Sequence, residues 1–232
     1  MSKSLALAPM ASWGMTTLPY ESSDHHQRAE LANSLTHGLG VVLSVVALVL
    51  MVVLAVQRGT ARLIVGVSLF GACLIVLYTM STLYHAFRGP RVKQVFHILD
   101  HAAIFLLIAG TYTPYCLSTL SGGWGWSIFG VIWGLAVLGI TFKFMFGPRM
   151  RWLSTAVYLA MGWLVVIAIG PLMRSLPSGG LLTLFGGGFF YTVGVVFYVW
   201  KKLPYHHAAW HLFVMLGSAC HVVSVMFFVI PR

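Results

Sequence analysis

Charge is what this sequence has least of. Charged side chains make up 8% of its 232 residues, where a soluble domain carries about 25%, so they cannot cover a water-facing surface. Acids are scarcer still: Glu21, Asp24, Glu30 and Asp100 are the whole set. The three cysteines, Cys73, Cys116 and Cys220, all sit inside apolar stretches, which excludes a disulfide scaffold. Fixed-period repeats and low-complexity segments are lacking, and a hydrophobic content of 59% excludes disorder. The net charge of +10 would suit a nucleic-acid partner if the bases formed a patch. They punctuate long apolar runs instead. A polytopic integral membrane protein remains, and no nucleic acid is needed.

Segments of roughly 20 apolar residues, long enough to cross a ~30 Å hydrocarbon core, occur seven times. The expected spans are Ser34–Val56, Arg62–Ala86, Phe96–Leu117, Trp124–Phe144, Trp152–Pro171, Leu181–Trp200 and Ala208–Ile230. Between them lie Gly, Pro and basic residues, as in Arg88-Gly89-Pro90-Arg91 and Pro177-Ser178-Gly179-Gly180. Backbone groups in lipid must be satisfied within each segment, and the runs are too long for barrel strands, so the spans are helices. The softest boundary falls between Pro171 and Gly188. The fold class is therefore all-α, a seven-transmembrane-helix bundle. Residues 1–33 read as a short cytoplasmic amino-terminal tail without a signal-peptide pattern. Residues 34–232 read as one seven-helix transmembrane domain.

With the amino terminus inside, the inner segments carry Lys3, Arg28, Arg88, Arg91, Lys93, Lys143, Arg149, Arg151, Lys201 and Lys202. The outer segments carry Arg58, Arg62, Arg174 and Arg232. This asymmetry predicts amino terminus in, carboxyl terminus out, in a cell membrane.

The same orientation gathers the unusual polar residues at one depth. Glu30, Asn33, Thr36 and His37 open the first helix, and Ser81 and His85 close the second. His97, Asp100 and His101 open the third, and His206, His207 and His211 open the seventh. Ionisable residues inside a span are costly and face a protein interior or a watery cavity. His207 and His211 are four apart, on one helical face, a spacing from which two imidazoles can bind one metal. With His85 they would supply three neutral nitrogens, the open pattern of catalytic zinc. His97 and His101 are a rival pair with the same spacing, suited equally to a metal or to headgroups. Asp100 suits either a dipole-complementing acid at a helix start or the proton-accepting partner of a metal-bound water. Ser81, one turn before His85, can hold a water near the metal or bond back to its own helix. Glu30, Asn33 and His37 share a stripe: Glu30 suits the dipole of a helix start, Asn33 a cap, and Asn33 with His37 interhelical hydrogen bonds. His221, near mid-membrane, reads as a hydrogen-bonded core histidine. The glycines read as close-packing positions, Gly130 and Gly134 as a small-xxx-small pair, and Gly186–Gly188 as a place where the sixth span loosens.

Taken together, Glu30-x-x-Asn33-x-x-Thr36-His37, Ser81-x-x-x-His85, the Asp100 helix ending Gly110-Thr111-Tyr112-Thr113-Pro114, and His207-x-x-x-His211 resemble the progestin and adipoQ receptor (PAQR) superfamily. The small size and short loops resemble its bacterial branch, the hemolysin III proteins. The resemblance implies a zinc ion near the cytoplasmic face held by His85, His207 and His211. It gives Asp100 the zinc-bound water and puts Ser81 beside the ligands, and it is why His207 and His211 rank above His97 and His101. The short amino terminus argues against reception of a protein hormone.

Three functions follow as expectations. The first is a zinc-dependent hydrolase of lipid amides, similar to the alkaline ceramidases, acting in membrane lipid homeostasis with membrane lipids as partners. The second is a non-catalytic regulator of membrane fluidity or energetics in which zinc is structural. The third is a cytolytic pore, against which the apolar outer halves of the helices argue.

Overall fold

The computed structural model describes residues 23–120 and 122–230. Most of the expected tail, Glu21 included, lies outside the described residues. The described residues form eight α-helices: α1 (Ser23–Arg58), α2 (Ala61–Ala86), α3 (Pro90–Pro114), α4 (Gly122–Phe146), α5 (Arg151–Trp163), α6 (Ile169–Ser175), α7 (Ser178–Val199) and α8 (His206–Ser224). A 3-10 stretch, Leu164–Ala168, joins α5 to α6 as one span, Arg151–Ser175. Wide π turns, Tyr115–Thr119 and Val225–Val229, prolong α3 and α8. The described residues thus contain seven membrane-length apolar helical spans, and the protein is a multi-pass membrane protein.

Two helices begin earlier than the apolar pattern predicts. α1 starts at Ser23 instead of Ser34, and α3 at Pro90 instead of Phe96. Hydropathy finds only the stretch that lipid demands, whereas a helix can run on where polar side chains reach water. Pro90 favours the first position of α3, since its missing N–H has no partner there anyway. Both corrections change roles. Asp100 lies nearly three turns inside α3, beyond the reach of the helix-start dipole, and is 7% exposed. Glu30 and Asn33 lie within α1, so neither begins or caps it.

Neighbouring helices pack in chain order from α1 to α4; α7 lies against α8, and α8 returns to α1. Close approach is set by glycine at specific points. A Cβ on Gly40 would stand 2.7 Å from the Tyr78 ring, and one on Gly110 would stand 2.8 Å from Cys73. Gly130 and Gly134 differ: a Cβ on either meets nothing within 4 Å, so among the described residues the small-xxx-small pair has no packing partner. Gly186–Gly188 do not loosen their helix, for α7 is continuous through them.

The irregular span is the fifth, where the α-helical ladder gives way to the 3-10 stretch shortly before Pro171. The Tyr112 hydroxyl of α3 fills that break. It accepts the Val165 N–H at 2.8 Å and lies 2.9 Å from the Met161 carbonyl and 2.8 Å from that of Gly162. One phenol so satisfies groups that lipid could not.

Candidate metal centre

The amino-terminal ends of α1, α3 and α8 and the carboxy-terminal end of α2 meet at one end of the bundle. There the structure brings together His85, from the last turn of α2, and His207 and His211, from the first turns of α8. One ring nitrogen from each lies within 4.8 Å of the other two. Ring centroids are 5.0 Å apart for His85 and His207, 5.1 Å for His85 and His211, and 4.6 Å for His207 and His211. His85 and His211 are buried, and the Nε2 of His85 has no hydrogen-bond partner. Buried imidazole nitrogens without partners are costly in an apolar bundle. One ring nitrogen from each of three histidines converging within 4.8 Å fits a divalent cation. Imidazole donors of this kind suit zinc, copper, iron or nickel.

α1 orients two of these rings from behind. The Nδ1 of His85 is 3.4 Å from the Glu30 carboxylate and 3.5 Å from the Asn33 carboxamide. Glu30 is itself ion-paired to Lys93 of α3. The Nδ1 of His211 lies 3.1 Å from the Asn33 carbonyl and 3.1 Å from the Thr36 hydroxyl. The Thr36 hydroxyl contacts the carbonyls of Ala32 and Asn33, each at 2.9 Å. An Nδ1–H held by a carboxylate or carbonyl leaves Nε2 as the free donor, the arrangement that fixes tautomer and ring angle in metal sites. His37 stacks on His211 with centroids 3.5 Å apart and planes 11° from parallel, and both its ring nitrogens lack partners.

His97 and His101 take no such place. His101 directs its Nδ1 to the His97 carbonyl at 2.9 Å, one turn back on its own helix, and His97 meets the edge of Tyr84. Among the described residues, no third imidazole, thiol or carboxylate completes a ligand set around that pair. His25 stands against Tyr205.

Ser81, Asp100, His207 and His211 line one cavity of about 150 Å³. Its wall follows a single face of α3 and the turn beyond it, through Asp100, Ile104, Leu107, Thr111, Tyr115 and Leu120. Twenty residues of helix cover about 30 Å, close to the hydrocarbon thickness. Polar groups crowd the histidine end, with the fully buried Ser81 hydroxyl near the Asp100 carboxylate. Beyond them the wall is largely apolar, and it includes His221. Its Nδ1 has no hydrogen-bond partner. Sequence reasoning gave neither Lys93 nor Tyr112 a role of its own. No spacing rule connects Lys93 to Glu30, and the Tyr112 contact depends on an irregularity in another span.

A family model described as Haemolysin-III related matches residues 25–222. The chain is 47% identical over 204 residues to "Hemolysin-3" of Bacillus cereus, covering 88% of this chain and 93% of that one. It is 47% identical over 201 residues to "Hemolysin-3 homolog" of Bacillus subtilis (strain 168), covering 87% and 94%. With "Monocyte to macrophage differentiation factor" of Homo sapiens it shares 28% identity over 167 residues, 68% of this chain and 67% of that protein. A seven-span helical bundle with a three-histidine cluster at one end is thus the setting, and the chain belongs to the haemolysin-III family. The human relative carries the link to the PAQR superfamily.

Proposed function

We propose that His85, His207 and His211 hold a zinc ion and that the protein hydrolyses an amide bond in a membrane lipid of the ceramide type. The observation that carries this reading is the union of a three-imidazole cluster, a buried carboxylate and a long apolar cavity in one place. Zinc bound by three histidines supplies Lewis acidity and makes water acidic enough to lose a proton near neutral pH. The Asp100 carboxylate, buried in the same wall, is positioned to take a proton and return it to a departing amine. The Ser81 hydroxyl can donate to a substrate oxygen or to that carboxylate. Glu30 and Asn33 hold the ligand rings in register. The apolar length beyond excludes water and suits an acyl chain whose carbonyl lies at the histidine end. Membrane lipids are the partners. The excess of Lys and Arg at the loops flanking this end supports a cytoplasmic placement for it.

The test combines metal analysis with turnover. Purified wild type is expected to carry about one zinc per chain and to release fatty acid from a ceramide. Asp100→Asn should keep the zinc and lose turnover. Zinc-loaded wild type that consumes no lipid in a broad lipidomic screen would end the enzyme reading. A second reading, in which zinc only joins α2 to α8, draws support from the cluster's place at a three-helix junction. It expects deletion to alter membrane fluidity while turnover is absent. The name of the Bacillus relatives points to cytolysis for those proteins. Here, conductance in planar bilayers would be its measure.

A further inference from the structure

His221 is the one imidazole deep in the cavity. It lies ten residues beyond His211 on α8, or about 15 Å along the helix axis at 1.5 Å per residue. The residue is 6% exposed and lines the cavity, and its Nδ1 has no hydrogen-bond partner. The hydroxyls of Tyr191, Tyr78 and Ser224 are engaged elsewhere, while that of Tyr115, in the same cavity wall, also lacks a partner. Tyr191 stacks on the His221 ring, 5.6 Å between centroids, but its hydroxyl meets Ser218 at 2.9 Å. Tyr78 donates to the same Ser218 oxygen at 2.7 Å. Ser224, one turn on, donates to the Gly180 carbonyl at 3.0 Å. The ring is wedged against α7 at Gly187, where a Cβ would stand 2.5 Å from the His221 Nε2. Its position is therefore built, with one edge against a helix that has given up a side chain to admit it. A buried imidazole nitrogen without a partner is expensive inside hydrocarbon unless something polar reaches it.

We infer that His221 is a second, polar subsite of the cavity, which recognises an oxygen substituent on the hydrocarbon chain of a lipid whose carbonyl lies at the histidine cluster. The inference rests on the reading of the cavity as an acyl-chain site. An imidazole nitrogen can donate to or accept from a hydroxyl, so a hydroxylated acyl chain is the ligand class. Extended backbone advances about 1.2 Å per bond, so 15 Å corresponds to roughly a dozen bonds. The hydroxyl therefore belongs near carbon 12.

The test compares binding of octadecanoate and 12-hydroxyoctadecanoate to the full-length protein in nanodiscs, by competition with a fluorescent fatty acid. Wild type should prefer the hydroxylated chain roughly ten-fold, the factor that one net hydrogen bond supplies. His221→Phe should abolish the preference while still binding octadecanoate, and a thermal unfolding midpoint close to that of wild type checks that the variant is folded. Gly187→Ala, which retains the imidazole but pushes it aside, should lower the preference as well. Equal binding of the two acids to wild type, as expected if only a water meets His221, would overturn the subsite while leaving the acyl-chain reading intact. Binding of neither acid would overturn both.

Discussion

Two histidine pairs of identical spacing, one on α3 and one on α8, meet opposite fates. His207 and His211 are joined by His85 from another helix, and His211 is backed by a carbonyl of α1. His97 and His101 face each other with ring centroids 4.3 Å apart, but His101 turns its Nδ1 to its own helix. An i, i+4 pair therefore supplies only half a site. The other half is what the neighbouring helices bring, and here α1 and α2 bring it to one pair alone.

That contrast can be broken most forcefully at its centre. His211→Ala is expected to reduce zinc binding by more than about 100-fold, exceeding the range for outer partners, with metal measured by chelator competition. Metal retained at wild-type affinity would dissolve the distinction between the pairs. A smaller effect should come from behind the ligands: Glu30→Ala removes the carboxylate beside His85 and should weaken zinc by roughly 10- to 100-fold. Cobalt substitution would read the same loss as a changed visible spectrum, which general destabilisation does not mimic. Tyr112→Phe should leave the metal alone but cost about 1–3 kcal/mol of stability, because the Val165 N–H loses its partner inside the membrane. Thermal unfolding in detergent checks it. Least of all, His97→Ala should change zinc affinity within error. A loss comparable to that of Glu30→Ala would show that the α3 pair contributes after all.

The spans were legible in the sequence because lipid leaves the backbone no alternative and writes that demand as runs of apolar residues. Their ends were less so. Helix α3 continues through Arg91, Lys93 and Gln94 towards Pro90, where polar side chains no longer mark a boundary. The gathering of Ser81, His85, Asp100, His207 and His211 at one depth followed from topology alone. Choosing between two equivalent histidine pairs did not, since spacing was the same and only family resemblance separated them. The support from α1 was half-visible: Glu30, Asn33 and His37 stood out as a stripe, yet their partners depend on how α1 rotates against α2 and α8. The break in the fifth span left its trace only as Pro171, several residues beyond the 3-10 stretch.

That break has a bearing on the cavity wall. The fifth span supplies Tyr158, Gly162, Val165, Ala168 and Leu172 to the cavity wall, while Val166 and Ile167 on the same stretch point outward, 49% and 67% exposed. A single helix thickness parts the interior from the bilayer there, and its two α-helical halves meet at a joint held by one phenol. The wall is thus least supported by its own backbone ladder at the point where a hydroxyl from another helix stands in for it.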